Sequence, residues 1–169
     1  IGFIHGVMNT DNMTASGETI DYGPCAFIDA FHRETVFSSI DRNGRYAYIN
    51  QPAIAQWNLA RLAETLLSLL PGDEKQSVEQ ATDILQDFAQ WHQDAWLDGF
   101  NRKLGFASSA ENDKERAEAL LDLLQQGGID FTLFFRRLSD LADKEADRSA
   151  LLALLDYPEV RKTSLLQQN

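Results

Sequence analysis

HGVMNTDNMTASGETIDYGP, residues 5–24, is a short polar stretch set between apolar residues. It gathers Asp11, Asn12 and Asp21 around a Ser16-Gly17 turn. Met13-Thr-Ala and Glu18-Thr-Ile-Asp21 are short runs on either side of that turn, which predicts a β-hairpin. Tyr22-Gly23-Pro24 ends the second strand, because proline has no N–H for a ladder. A strand leaving Asn12, a tight turn and a returning strand would bring Asp21 back near its start. Two readings follow. One is a surface hairpin whose Asn and Asp side chains bond their own backbone. The other is a cation and phosphate site. Magnesium takes oxygen ligands and commonly uses one or two carboxylates, with water and phosphate oxygens completing its shell. Asn12 and Asp21 offer an amide oxygen and a carboxylate. Asp11, next to Asn12, suits either a base or an outer partner of the cation.

The rest of the composition narrows the function classes. The 169 residues suffice for one domain or a large part of one, and 44% hydrophobic with 24% charged residues is ordinary for a folded chain. A net charge of -11 repels phosphate backbones, so no nucleic-acid partner is expected. The single cysteine, Cys25, cannot close an intramolecular disulfide and reads as a small buried hydrophobe; a reducing cytoplasm is the expected compartment. The greasiest run, Leu62–Leu70, is broken by Glu64, Thr65 and Ser68, so no membrane span is expected. The opening IGFIHGVMN lacks the basic start and cleavage site of a signal peptide. It also lacks an initiator Met and begins inside an apolar run, from which a piece of a longer protein is expected.

After about Phe37 the pattern changes. DRNGRYAYINQP opens like a calcium loop, but Arg45 and Pro52 stand where ligands belong, so it reads as a turn at Asn43-Gly44. Asn50 or Gln51 is placed to cap a helix with Pro52 in its first turn. Ile54, Trp57, Leu62, Leu66 and Leu69 then recur at near-helical spacing, and Pro71-Gly72-Asp73 ends the helix. A second helix is expected from near Ser77, with Val78, Ala81, Leu85, Phe88, Trp91 and Ala95 as its buried face. Gly99–Ser109 reads as a connector holding Asn101, Arg102 and Lys103. Further helices are expected at about Asp113–Gln126, Asp130–Ala142 and Asp147–Asp156, separated by Gly127-Gly128 and closed by Tyr157-Pro158. Trp57, Trp91 and Trp96 are expected to pack in the core or between helices. His92 has no second ligand at metal spacing, and Arg136-Arg137 reads as a solvated face.

The order of polar residues carries more than their number. Protein kinases place a His-containing catalytic loop, an Asn ligand, a short hairpin and then an Asp-Phe-Gly whose Asp holds magnesium. His5, Asn12, the hairpin and Asp21-Tyr22-Gly23 follow that order. His5 then reads as an orienting or structural histidine. One departure stands out: two residues after His5, where a kinase has its catalytic Asp, this chain has Val7.

HGVMNTDNM, TIDYGP and NQPAIAQWNLARLAE together resemble the selenoprotein O family of kinase-fold proteins, along the whole chain and most strongly from Gly2 to Glu64. The resemblance implies the C-terminal lobe of a protein-kinase-like fold, mainly α with a short β-hairpin. Residues 1–37 would hold the catalytic loops and hairpin and residues 50–169 the helical body, all in one lobe. It implies protein adenylylation, in which AMP passes from ATP to a Ser, Thr or Tyr hydroxyl of a protein with Mg2+ or Mn2+. By position, Asp11 matches the family's proposed acid-base residue, and Asn12 and Asp21 match its metal ligands and so its hold on the nucleotide. The lysine, glutamate and arginines that grip ATP in the family belong to an N-terminal lobe absent from these residues, and its C-terminal redox-active Cys or selenocysteine motif should lie past Asn169. The piece alone is therefore expected not to transfer AMP. Two rivals remain: an inert pseudokinase scaffold, favoured by Val7, and a small-molecule phosphotransferase.

Overall fold

The computed structural model describes residues 1–106, 110–141, 149 and 153. Among them the order is β1 (Phe3–His5), a 3-10 turn at Thr10–Asn12, β2 (Cys25–Phe27), a 3-10 turn at Tyr48–Asn50, α1 (Gln51–Leu66), α2 (Glu74–Leu104), α3 (Asp113–Gly127) and α4 (Phe131–Asp140). The expected mainly helical chain with one short β pair is present. The pair lies elsewhere than expected: β1 bonds to β2, and flanking bonds from Gly6 N–H to Pro24 C=O (2.9 Å) and Ile28 N–H to Gly2 C=O (2.7 Å) set an antiparallel register. At the Ser16-Gly17 turn only one bridge, Met13 to Thr19, survives of the expected ladder. The physical reason is local. Thr14 Oγ1 takes the Glu18 N–H (2.9 Å) and donates to the Glu18 C=O (2.8 Å), so a side chain replaces the rungs of a longer ladder.

The described chain forms two compact units. One comprises Ile1–Phe3, Phe27–Thr35 and the chain from Trp96 onward. Its centre is aromatic. α4 sets Phe131, Phe134 and Phe135 on one face at helical spacing, all buried, and Phe131 stacks on Phe31 at 5.6 Å between centroids. Phe135 meets Phe100 edge-on at 6.2 Å, and Lys103 Nζ sits 4.5 Å from the Phe135 centroid, where burial lowers its pKa from the ordinary lysine value. α3 buries Ala117, Leu121 and Leu124 along one stripe and ends at Gly128, whose φ of +59° only glycine adopts without strain. Arg33 pairs with Glu118 (2.8 Å) and Asp122 (2.7 Å), and so pins the 27–35 segment to α3. Asp130 caps α4 by accepting the Leu133 N–H at 2.7 Å. Asp130→Ala should therefore cost about 1 kcal/mol, read as a lower urea midpoint; an unchanged midpoint would show that the cap contributes nothing.

The second unit comprises Ile4–Ala26 and Val36–Ala95. It differs from expectation in three ways. α1 is entered through the 3-10 turn at Tyr48–Asn50, and Asn50 makes no side-chain cap; its Nδ2 donates to Gly44 C=O instead (2.7 Å). The apolar stripes exist but are not core: Trp57 is 42% exposed, Leu69 77% and Trp91 55%, while Leu62, Leu66 and Val78 are exposed too. Periodicity shows which face is apolar, not what covers it. Finally, α2 starts at Glu74, and its helix continues through Gly99 to Leu104, so Asn101, Arg102 and Lys103 stand on a helix rather than in a connector. Gly44, at φ +65°, makes the expected turn, and Asp41 there accepts the Arg45 and Tyr46 N–H groups at 2.8 Å each. Of the Gly99–Ser109 segment, residues 107–109 lie outside the described residues. So does the helix expected at Asp147–Asp156 with its Tyr157-Pro158 close, apart from Ser149 and Ala153. No described helix is long and apolar enough to cross a membrane.

Candidate functional site

The loop between β1 and the Met13–Thr19 bridge is shaped by its own amides. Asn12 N–H bonds to Asn9 C=O (3.0 Å), closing the 3-10 turn that presents Asp11 and Asn12. Asp11 is exposed, and its carboxylate makes no hydrogen bond among the described residues. Asn12 is half-buried, and its Nδ2 donates to Val7 C=O at 2.7 Å. A carbonyl accepts only from the nitrogen side of an amide, so this bond settles which way the group faces. Asn12 Oδ1 is left without a hydrogen bond among the described residues, and it is the atom a cation would use. Asn9 is held in turn by the Tyr46 hydroxyl, which donates to its Oδ1.

His5 joins this loop to Asp21. The ring is 5% exposed; its Nδ1 accepts the Val7 N–H (3.3 Å), so Nε2 carries the proton and donates to the Asp21 C=O at 2.6 Å. The His5 N–H is itself taken by Gln51 Oε1 (3.0 Å), at the first turn of α1. A continuous path therefore runs from the Asn12 amide through Val7 and His5 to the Asp21 main chain. Asp21 follows the turn as exposed, non-ladder backbone, and its carboxylate lies towards Gly23. A 160 Å³ cavity lined by His5, Met8, Asn12, Met13, Thr14 and Thr19 lies beneath the loop. Removing the ring in His5→Ala leaves the Val7 N–H and Asp21 C=O without this partner and empties a buried site, and should cost about 1–2 kcal/mol. A urea midpoint equal to wild type would dismiss the clasp.

Among the described residues no three His, Cys, Asp or Glu side chains converge as an all-protein metal cage. An Asn oxygen and an Asp carboxylate nevertheless fit a magnesium-type ion, which needs only one or two protein oxygens when phosphates supply others. What the structure contributes is the Asn12 orientation, with the nitrogen on Val7 C=O. Missing from the sequence reading were Gln51, taken only as a possible cap, and Asn58. Asn58 is the buried residue of α1; it donates from Nδ2 to Met8 C=O (2.9 Å) and contacts Met13 Sδ. The signal for it was an amide inside an apolar helical run, WNLARL.

A histidine-clasped loop carrying an amide oxygen, joined to an acidic turn, offers the oxygen types that a phosphate-linked cation uses. Comparison with known proteins narrows the class. The family described as protein adenylyltransferase SelO matches residues 1–168. Curated relatives named protein nucleotidyltransferase YdiU include that of Rhizobium etli, 58% identical over 146 residues, which cover 86% of this chain and 29% of the relative. That of Chromobacterium violaceum is 57% identical over 152 residues, 89% of this chain and 32% of the relative. That of Agrobacterium fabrum is 56% identical over 147 residues, 87% and 30% respectively. The chain belongs to the SelO protein adenylyltransferase family. It spans about a third of the length of the curated relatives it matches, 29% to 32% in these three.

Proposed function

We propose that the complete protein transfers AMP from ATP to Ser, Thr or Tyr hydroxyls of other proteins, with Mg2+ or Mn2+ held by Asn12 and Asp21. The observation that carries the reading is the Asn12 amide, fixed by Val7 C=O with its oxygen free and linked through His5 to Asp21. Family membership supports it. In the reaction the acceptor hydroxyl oxygen forms a bond to the α-phosphorus, the bond from that phosphorus to the bridging β-phosphate oxygen breaks, and pyrophosphate leaves. Asp11, exposed on the loop, receives the hydroxyl proton. Asn12 and Asp21 orient the nucleotide, and His5 keeps the two halves in register. The bound cation supplies neutralisation of the charge that develops on the phosphate oxygens.

Val7 favours a second reading, a pseudokinase scaffold, since it stands where a kinase carries its acid and offers only its backbone to His5 and Asn12. Complete protein incubated with α-labelled or γ-labelled ATP and bacterial lysate proteins separates the readings. Protein-bound label from the α position alone is the expected result. Label from the γ position, on protein or a small molecule, would mean a phosphotransferase, and no label from either would leave the scaffold.

A further inference from the structure

Asn58 is out of place by every local rule. Asn is a weak helix former, and burying an amide is unfavourable unless its hydrogen bonds are made. Yet it sits inside the 16-residue α1, 5% exposed, on a helix whose large apolar side chains Trp57, Leu62 and Leu66 face outward. Its bonding is lopsided. Nδ2 donates to Met8 C=O and reaches Met13 Sδ, while Oδ1 is buried with no partner among the described residues. A group kept only for helix packing would gain from being leucine, since that removes the orphaned oxygen.

What Nδ2 touches explains its presence. Met8 and Met13 are the two residues that bracket Asn9–Asn12, the turn closed by Asn12 N–H on Asn9 C=O. One amide therefore holds both ends of the turn from below, against a rigid helix. The turn's other restraints come from elsewhere: Val7 C=O on the Asn12 side chain and Tyr46 on Asn9. Among the described residues only the Asn58 contacts tie its entry and its exit to one point.

We propose that Asn58 is a positioning residue: a buried strut on α1 that sets the Asn9–Asn12 turn, and through it the aim of Asn12 Oδ1 and Asp11. The inference rests on the proposed cation and AMP-transfer site for its consequence, but its geometry stands without it. Two readouts on the complete protein keep the two apart. The first is amide hydrogen exchange in Asn58→Ala. Protection should fall at Asn12, about tenfold for one lost hydrogen bond, while the α1 amides keep theirs. The second is Mn2+ affinity with an unreactive ATP analogue, read by electron paramagnetic resonance, which should weaken about tenfold on the same scale. Asn58→Ser keeps a donor over Met8 and should recover part of both losses; Asn58→Asp, which sets an oxygen against the Met8 carbonyl, should recover neither. If Asn58→Ala does not fold, the Ser and Asp variants make the comparison by themselves. Unchanged exchange at Asn12, or a loss spread evenly through α1, overturns the proposal. Normal exchange changes in a protein that transfers no AMP would retain the strut and remove only the enzymatic reading.

Discussion

Asp11→Ala and Asp21→Ala in the complete protein are expected to remove AMP transfer while the thermal melt stays near wild type. The two losses arise differently. In the proposed reaction Asp11 takes the hydroxyl proton, and deleting a general base lowers rates by about 10²–10⁴-fold. Asp21 is the proposed cation ligand, and losing that electrostatic support should lower transfer by about 10³-fold or more. Both side chains are exposed and their carboxylates make no hydrogen bond among the described residues, so neither truncation strands a buried partner. His5 grips the main-chain carbonyl of Asp21, which alanine retains. Incorporation of α-labelled AMP alongside calorimetry checks the pair. Activity retained in either variant removes that residue from the mechanism, and a melt that collapses shows a structural role instead.

The second large effect belongs to Gly6. It follows β1 and donates its N–H to Pro24 C=O at 2.9 Å. A Cβ there would stand 2.1 Å from that same carbonyl oxygen and 3.1 Å from Ser38 N, both backbone atoms that cannot rotate away. Gly6→Ala must therefore part the strand pair just where His5 begins the clasp. The expected cost is about 3 kcal/mol or more, seen as a lowered melting temperature or insoluble protein. Gly17 makes the contrast. Its φ is +78° and nothing lies within 4 Å of its Cβ position, so Gly17→Ala should cost only about 1 kcal/mol, from backbone strain alone. Equal melting temperatures for the two variants would contradict the close-approach argument.

The sequence revealed some of this well and some of it not at all. α3 and α4 were legible because several local signals agree there: the Ala117, Leu121, Leu124 stripe, the Gly127-Gly128 stop, and Asp130 ahead of Phe131, Phe134 and Phe135. α2 was cut short because Gly99 reads as a breaker. In the structure it is an approach point, where a Cβ would meet Ile1 Cδ1 at 2.4 Å, and the helix runs through it. Trp57 and Trp91 were misplaced for a different reason. A stripe records which face is apolar, and the described residues leave those two side chains exposed. At the candidate site the residue types of Asp11, Asn12 and Asp21 were plain, but the connection between them was not. It runs through main-chain atoms of Val7, Met8 and Asp21, and main-chain atoms carry no sequence signature. The hairpin that geometry suggested as the link is a single bridge; the His5 ring spans the gap instead.

Binding of Mn2+ by the complete protein with an unreactive ATP analogue, followed by electron paramagnetic resonance, tests the central claim most directly. With Asn12 and Asp21 as the ligands, wild type should give a bound-ion signal that is lost in both Asn12→Ala and Asp21→Ala and retained in Asp11→Ala. A signal that survives in Asn12→Ala at wild-type affinity would contradict that assignment, because the free Asn12 oxygen would then hold no cation.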